Sequence, residues 1–263
     1  VRGLELPEEL AARYRVLGQL GEGGYGRVLL AEEPGSGRRV ALKVLHPQLG
    51  GAQIRRRLLQ EAQVTARLRH PNVVEVLDAG EAGGTAFIAY AFVDGPTLAR
   101  VADRPEPPAP TSLRLWGQAI AGALREVHEA GVVHRDVKPE NILLRGGNHP
   151  VLVDFGVARL EGGVRTATGV LLGTPPFMAP EVWLGEVPGP AADQFAWAAT
   201  LWTLLTGDFP YATDAPGEII QLVSRGWEPP QHQRLGDPGL EAALLRALAA
   251  DPAARFPDMG AMA

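Results

Sequence analysis

Val133-His134-Arg135-Asp136-Val137-Lys138-Pro139-Glu140-Asn141 runs into the apolar triplet Ile142-Leu143-Leu144, and a second apolar run, Val151-Leu152-Val153, ends in Asp154-Phe155-Gly156. Two carboxylates and a carboxamide therefore stand at the edges of short apolar segments that read as strands. Asp136 is suited to orienting an attacking hydroxyl and taking its proton, while Asp154 and Asn141 offer the hard oxygens that Mg²⁺ prefers. Lys138 is suited to neutralising charge that develops on a transferred phosphoryl group. Polar turns around a hairpin would account for any one of these residues, but poorly for all of them together.

Working outward, Lys138 is one of only two lysines in a chain that holds 25 Lys plus Arg. The other, Lys43, sits in the apolar run Val40-Ala41-Leu42-Lys43-Val44-Leu45. A compact ammonium suits a confined phosphate site better than a guanidinium fork does. Glu61, in a helical pattern downstream, is a candidate to pair with Lys43 and hold it between phosphates. Upstream lies Gly21-Glu22-Gly23-Gly24-Tyr25-Gly26-Arg27-Val28. Glycines at this spacing let backbone amides approach phosphates. A dinucleotide fingerprint uses the same spacing but needs a helix directly after it; here the following residues alternate as a strand, which favours a hairpin over a nucleotide.

Alternation predicts strands at 14–20, 27–32, 39–45, 73–77 and 86–91, with one helix at 52–68 closed by His70-Pro71-Asn72. After the proline-rich stretch 105–110, Thr111 or Ser112 is expected to cap a long helix reaching Ala130. Its Leu113, Trp116, Ile120, Leu124 and Val127 form one inward stripe. Beyond Ala179 the pattern is mainly helical, including a helix at 240–248. Two architecturally different halves predict a ligand cleft between them.

Composition narrows the function classes. At 263 residues and 46% hydrophobic, the chain can bury a substantial core. Without cysteine it has no disulfides, thiolate zinc sites or Cys nucleophile. A net charge of -5 and the lack of a basic block other than Arg55-Arg56-Arg57 argue against nucleic acid as a partner. The longest apolar segment, between Asp193 and Asp208, holds 14 residues, short of the roughly 20 a spanning helix needs. It reads as a buried helix. Glu5, Glu8 and Glu9 stand where a signal peptide would be apolar.

Taken in order, the glycine-rich loop, the Val-Ala-Leu-Lys strand, the His-Arg-Asp loop, Asp-Phe-Gly and Ala179-Pro180-Glu181 resemble the eukaryotic-type protein kinase family over about 14–256. The resemblance implies an α+β bilobal fold: a small antiparallel-sheet lobe with one main helix at about 14–90, a hinge at 91–96 and a mainly helical lobe at about 97–263, together one kinase domain spanning 1–263. It implies ATP and Mg²⁺, with Mn²⁺ as a substitute ion. Gly21, Gly23, Gly26 and Lys43 would meet the phosphates, with Glu61 as the helix partner of Lys43. Asp136 would be the catalytic base, Lys138 a substrate-side phosphate contact, and Asn141 and Asp154 the metal ligands. Leu20, Val28, Ala41 and Leu143 resemble the apolar adenine slot; Tyr90 stands in the gatekeeper place, and Ala91 to Val93 resemble the hinge.

Farther on, Thr174 resembles the threonine that Ser/Thr kinases set beside the catalytic loop. Asp193 resembles a brace for the His-Arg-Asp backbone, and Glu181 with Arg255 a buried ion pair. Thr166 and Thr168 are candidate autophosphorylation sites whose phosphate could pair with Arg135. Thr65 replaces a larger apolar residue usual in the spine behind the helix, which would make activity depend more on loop phosphorylation or a partner.

The expected activity is transfer of the ATP γ-phosphate to Ser/Thr hydroxyls of proteins, with activation by autophosphorylation, in trans within a kinase homodimer. The Arg-rich style is most like bacterial members, implying a cytoplasmic chain or the intracellular domain of a single-pass membrane receptor kinase. A catalytically weak nucleotide-binding scaffold is the alternative, disfavoured because no phosphate, metal or proton-handling group is missing. A small-molecule phosphotransferase is disfavoured by Lys138 and by the segment ending in Ala179-Pro180-Glu181.

Overall fold

The computed structural model describes residues 6–23, 26–46, 52–104, 108–155, 174–230 and 237–263. They fall into two compact units, Val1–Asp94 and Gly95–Ala263.

In the first unit α1 (Glu8–Ala11) leads into β1 (Arg15–Gly23), β2 (Gly26–Glu32), β3 (Arg39–Leu45), α2 (Ala52–Thr65), β4 (Val76–Ala82) and β5 (Thr85–Ala91). The strands form one antiparallel sheet in the order β1-β2-β3-β5-β4. Period-2 alternation gives it two chemically distinct faces. Leu29, Ala31, Val40, Leu42, Val44, Phe87 and Ala89 pack with Leu10 and Tyr14 into a core, all at most 4% exposed. The opposite face carries Val28, Ala41, Lys43 and Tyr90. Two bulges interrupt β1, between Val16 and Gly18 and between Gln19 and Gly21. The extra residues are Leu17 and Leu20, left 41% and 48% exposed, as expected where a bulge re-aims a side chain.

Two elements differ from the expected bounds. Val73 and Val74 are buried, at 6% and 3% exposed, but they follow a turn in which Val73 N–H bonds to His70 O; the strand begins at Val76. The helix α2 ends at Thr65, and Arg67 and Leu68 continue it only as tight turns onto Val64 O and Thr65 O.

In the second unit come α3 (Leu98–Ala102), α4 (Pro110–Glu129), β6 (Ile142–Arg145), β7 (His149–Leu152), α5 (Pro180–Trp183), α6 (Pro190–Thr206), α7 (Pro216–Ser224), α8 (Pro238–Ala247) and α9 (Met259–Met262). Pro110 itself opens α4, with Ala109 as the cap and no side-chain capping bond. The expected Thr111 or Ser112 cap is displaced because proline has no N–H to satisfy at the first helical position. The predicted stripe is buried: Leu113, Trp116, Ile120, Leu124 and Val127 are at most 5% exposed. Burying each such side chain is worth about 1.5–3 kcal/mol.

The central helix α6 is apolar nearly all round, and ends at Gly207, whose φ of 79° supplies the left-handed cap. Its buried polar groups are partnered: Thr200 donates to Ala196 O, and Gln194 exchanges bonds with the Phe256 backbone. No helix among the described residues is long and apolar enough to cross a membrane.

Candidate active site

The catalytic-loop candidates are held by α6 from below. Asp193 is 1% exposed. Its Oδ1 accepts the Arg135 N–H at 2.8 Å and its Oδ2 the His134 N–H at 2.7 Å. Oδ2 also meets His128 Nε2 at 2.9 Å. Arg135 has a φ of 66°, a left-handed conformation that costs a non-glycine residue about 1–2 kcal/mol; the carboxylate offsets that cost by satisfying two adjacent amides.

His134 is fully buried and its tautomer follows from its partners. The Asp136 N–H donates to Nδ1 at 3.3 Å, and Nε2 lies 3.1 Å from Val153 O. A carbonyl can only accept, so Nε2 carries the proton and the ring is neutral. Burial lowers its pKa from 6.5, against the raising influence of Asp193 and Asp136. The ring also packs on Phe155 at a centroid distance of 4.7 Å. His134 therefore ties the Asp136 loop to the Asp154 loop through both an edge and a face.

Asp136 is gripped at one oxygen. Asn141 Nδ2 donates to Asp136 Oδ2 at 2.9 Å and to Asp136 O at 2.8 Å, and Lys138 Nζ stands 3.3 Å from the same Oδ2. Lys138 Nζ also donates to Thr174 Oγ1 at 2.7 Å. Asn141 thus commits its amide nitrogen to Asp136 and not its amide oxygen. The backbone carbonyl of Asn141 takes the Val153 N–H at 2.9 Å, extending the β6–β7 pairing by one rung. Asp154 follows directly, itself left-handed at φ 57°. The strand pair thus positions Asn141 and Asp154 from one ladder. An amide oxygen and a carboxylate are hard donors too few to fill an octahedral shell. That set fits Mg²⁺, which normally completes its coordination with waters and substrate phosphate oxygens.

Leu143 lies between the buried Ile142 and Leu144, opposite Val151 and bridged to Thr97, and is itself only partly buried. Gly95 explains the close approach of that segment: a Cβ there would lie 2.0 Å from Leu144 O. In the same unit, Arg255 and Glu181 form a two-pronged pair with both bonds at 2.7 Å, the Arg255 side chain fully buried.

In the first unit the sheet register groups the nucleotide candidates into rows. Gly21 pairs with Val28, Val28 with Lys43, and Lys43 with Ile88; Ala41 pairs with Tyr90. Directly opposed residues share a face, so Val28, Ala41, Lys43 and Tyr90 form one patch with Leu20 exposed at its β1 margin. The three described glycines of the loop differ. A Cβ on Gly26 would meet Val44 O at 2.2 Å, whereas Cβ atoms on Gly21 and Gly23 would meet nothing within 4 Å among the described residues. Ala91 already donates its N–H to Glu75 O at 2.9 Å, and Val93 is buried at 5% exposed. Glu61 lies in α2; its side chain, together with Thr166, Thr168 and Gly156, lies outside the described residues.

Two histidines that contact this loop were not singled out from the sequence: His128, which meets Asp193, and His134, which was read only as part of a motif. The clue available was position, since both lie within one loop's reach of Asp136.

These geometries belong to a defined class. Residues 14–241 match the protein kinase domain family, and the chain belongs to it. It is 39% identical over 253 residues to the serine/threonine-protein kinase PknK of Mycobacterium tuberculosis, covering 94% of this chain and 23% of that protein. It is 38% identical over 256 residues to the serine/threonine-protein kinase PknD of Mycobacterium tuberculosis, covering 95% and 38%. It is 37% identical over 260 residues to the DNA damage-responsive serine/threonine-protein kinase RqkA of Deinococcus radiodurans, covering 96% and 38%. The chain therefore spans well under half the length of these relatives.

Proposed function

We propose that this chain is the catalytic domain of a Ser/Thr protein kinase, one domain over 1–263, that transfers the γ-phosphoryl group of ATP to Ser or Thr hydroxyls of proteins. The observation that carries the reading is the grip on Asp136: Asn141 and Lys138 converge on Oδ2, and Lys138 reaches on to Thr174. A carboxylate so fixed can accept a hydrogen bond from a hydroxyl, orient its oxygen and take up its proton as the new P–O bond forms and the bond from the γ-phosphorus to the bridging oxygen breaks, releasing ADP. Lys138 stabilises negative charge on the acceptor side. Its bond to Thr174 sets the height of the peptide platform and favours aliphatic hydroxyls over tyrosine.

Asp154 and Asn141 would hold the divalent ion, Mg²⁺ or Mn²⁺, which when bound shields phosphate charge. Lys43 would contact the phosphates with Glu61 behind it, and Gly21, Gly23 and Gly26 would let the β1–β2 hairpin lie close to them. Leu20, Val28, Ala41, Tyr90 and Leu143 would enclose the adenine, with backbone groups of the Ala91–Val93 stretch at its edge. The Ala91 N–H is spent on Glu75, so that stretch must offer other groups.

Activation by phosphate on Thr166 or Thr168, in trans between two copies, and a cytoplasmic site with access to ATP complete the proposal. Transfer of labelled phosphate from ATP to a protein library, with mass-spectrometric mapping of acceptors, tests it. Mg²⁺-dependent labelling of Ser and Thr that vanishes in Asp136→Asn is expected. Undiminished labelling in that variant would refute the assignment.

A further inference from the structure

Two depressions in the Gly95–Ala263 unit share one lining residue. Asp136, Thr174, Phe177, Val182 and Glu186 are among the residues lining the first. Leu184, Glu186, Val223, Trp227 and Asp251 are among those lining the second. Glu186 belongs to both, so a continuous surface runs from the proposed base to the segment just beyond α7. Where they join, Gly185 turns the chain with a φ of 90°, and the loop lifts Leu184 and Val187 into solvent at 60% and 84% exposed. Apolar side chains this exposed beside a groove are characteristic of a contact surface.

The charge is one-sided. Among the described residues lining the second depression the ionisable side chains are all carboxylates. Glu181 is neutralised by Arg255, and Asp251 spends Oδ1 on the Ala253 N–H at 2.9 Å. Glu186, by contrast, has no side-chain partner among the described residues and is exposed. Its surroundings suit a cation flanked by apolar groups. A second copy of this chain, with net charge -5, is the poorer complement.

We propose that this surface docks a flanking segment of the acceptor protein, reading a basic residue with Glu186 and an apolar neighbour with Leu184, Val187 and Trp227. The proposal rests on the protein-kinase reading above, because continuity with Asp136 is what makes the occupant an acceptor chain. Glu186 is then a specificity-determining residue away from the transferred group.

Peptides sharing one Ser acceptor and carrying an Arg-Leu or a Glu-Leu flank, on either side of it, provide the test. The parent is expected to favour the Arg flank on at least one side by about fivefold in kcat/KM, the scale of one exposed ion pair. Added salt should reduce that preference. Glu186→Lys should abolish or invert it, and Val187→Asp should weaken use of both leucine-bearing peptides. Using a ratio within each variant cancels differences in active fraction. Equal use of the two flanks by the parent, or a preference surviving in Glu186→Lys, would overturn the docking surface while leaving the kinase reading intact. Anisotropy of labelled peptides on Asp136→Asn protein separates the two claims. Should no peptide accept phosphate, the kinase reading falls; charge-selective binding lost on adding Glu186→Lys would still support the surface, and unselective binding would overturn it.

Discussion

Asp193 holds Arg135 in a backbone conformation that arginine disfavours: its Oδ1 takes the Arg135 amide at 2.8 Å while φ at Arg135 is 66°. Asp193→Ala would leave two amides, those of His134 and Arg135, without their acceptor. Each buried group so orphaned costs about 1–3 kcal/mol. The loop bearing Asp136 should also lose its placement, and a shift near 1 Å can cost about 10²-fold in rate. Steady-state kinetics should show kcat falling by that order with little change in KM for ATP, alongside a lowered unfolding midpoint. An unchanged kcat in a destabilised but folded variant would contradict the bracing role.

Alanine at Gly26 and at Gly21 should fail differently. The new Cβ at Gly26 would overlap Val44 O, at 2.2 Å, whereas at Gly21 it meets nothing within 4 Å among the described residues. Gly26→Ala should therefore lower thermal stability, by more than the roughly 1 kcal/mol typical of point changes. Gly21→Ala should keep the parent melting temperature and weaken ATP binding several-fold, as read by calorimetric titration. Equal effects on both readouts would dissolve the distinction between the sheet-packing glycine and the one proposed to face the phosphates.

Acid should destabilise the protein in a way traceable to His134. Burial lowers its folded-state pKa beneath 6.5, so the unfolded chain binds the proton more readily. The stabilisation is complete above about pH 6.5 and drains away as pH falls toward the folded value, at up to about 1.4 kcal/mol per pH unit. Urea midpoints measured between pH 7.5 and 5 should fall for the parent, and His134→Leu should show a shallower fall. Parallel curves would assign the acid sensitivity elsewhere.

Arg255 and Glu181 should prove strongly coupled. Arg255→Met strands a buried carboxylate and frees the carbonyls of Ala249 and Ala191, which the guanidinium now serves. Breaking such a pair costs about 3–5 kcal/mol. The double variant with Glu181→Gln should lose less than the sum of the single changes in denaturant titration. Strict additivity would show the two groups acting independently.

The sheet and the long helices were legible because alternation at β3 and the three-four spacing along α4 report burial directly. Val73 and Val74 misled for the same reason: they are buried without pairing in the main sheet, and hydrophobicity cannot tell the two apart. The start of α4 was misplaced by reading hydroxyl caps at Thr111 and Ser112, where Pro110 suffices. At the site, residue types that must cluster chemically, such as Asp136, Lys138 and Asn141, stood close in sequence. The His128–Asp193 contact spans 65 residues, and nothing local to His128 marks its partner. Glu186 was invisible too, since its significance arises only where two depressions join.

Lysine occurs at two positions, Lys43 midway along β3 and Lys138 beside Asp136. An acylating reagent consequently finds two side-chain amines, one in each unit, and each is a proposed phosphate contact. Peptide mapping after such labelling would register shielding of each amine by a nucleotide analogue without interference from other lysines, so this chain carries its own pair of covalent occupancy gauges.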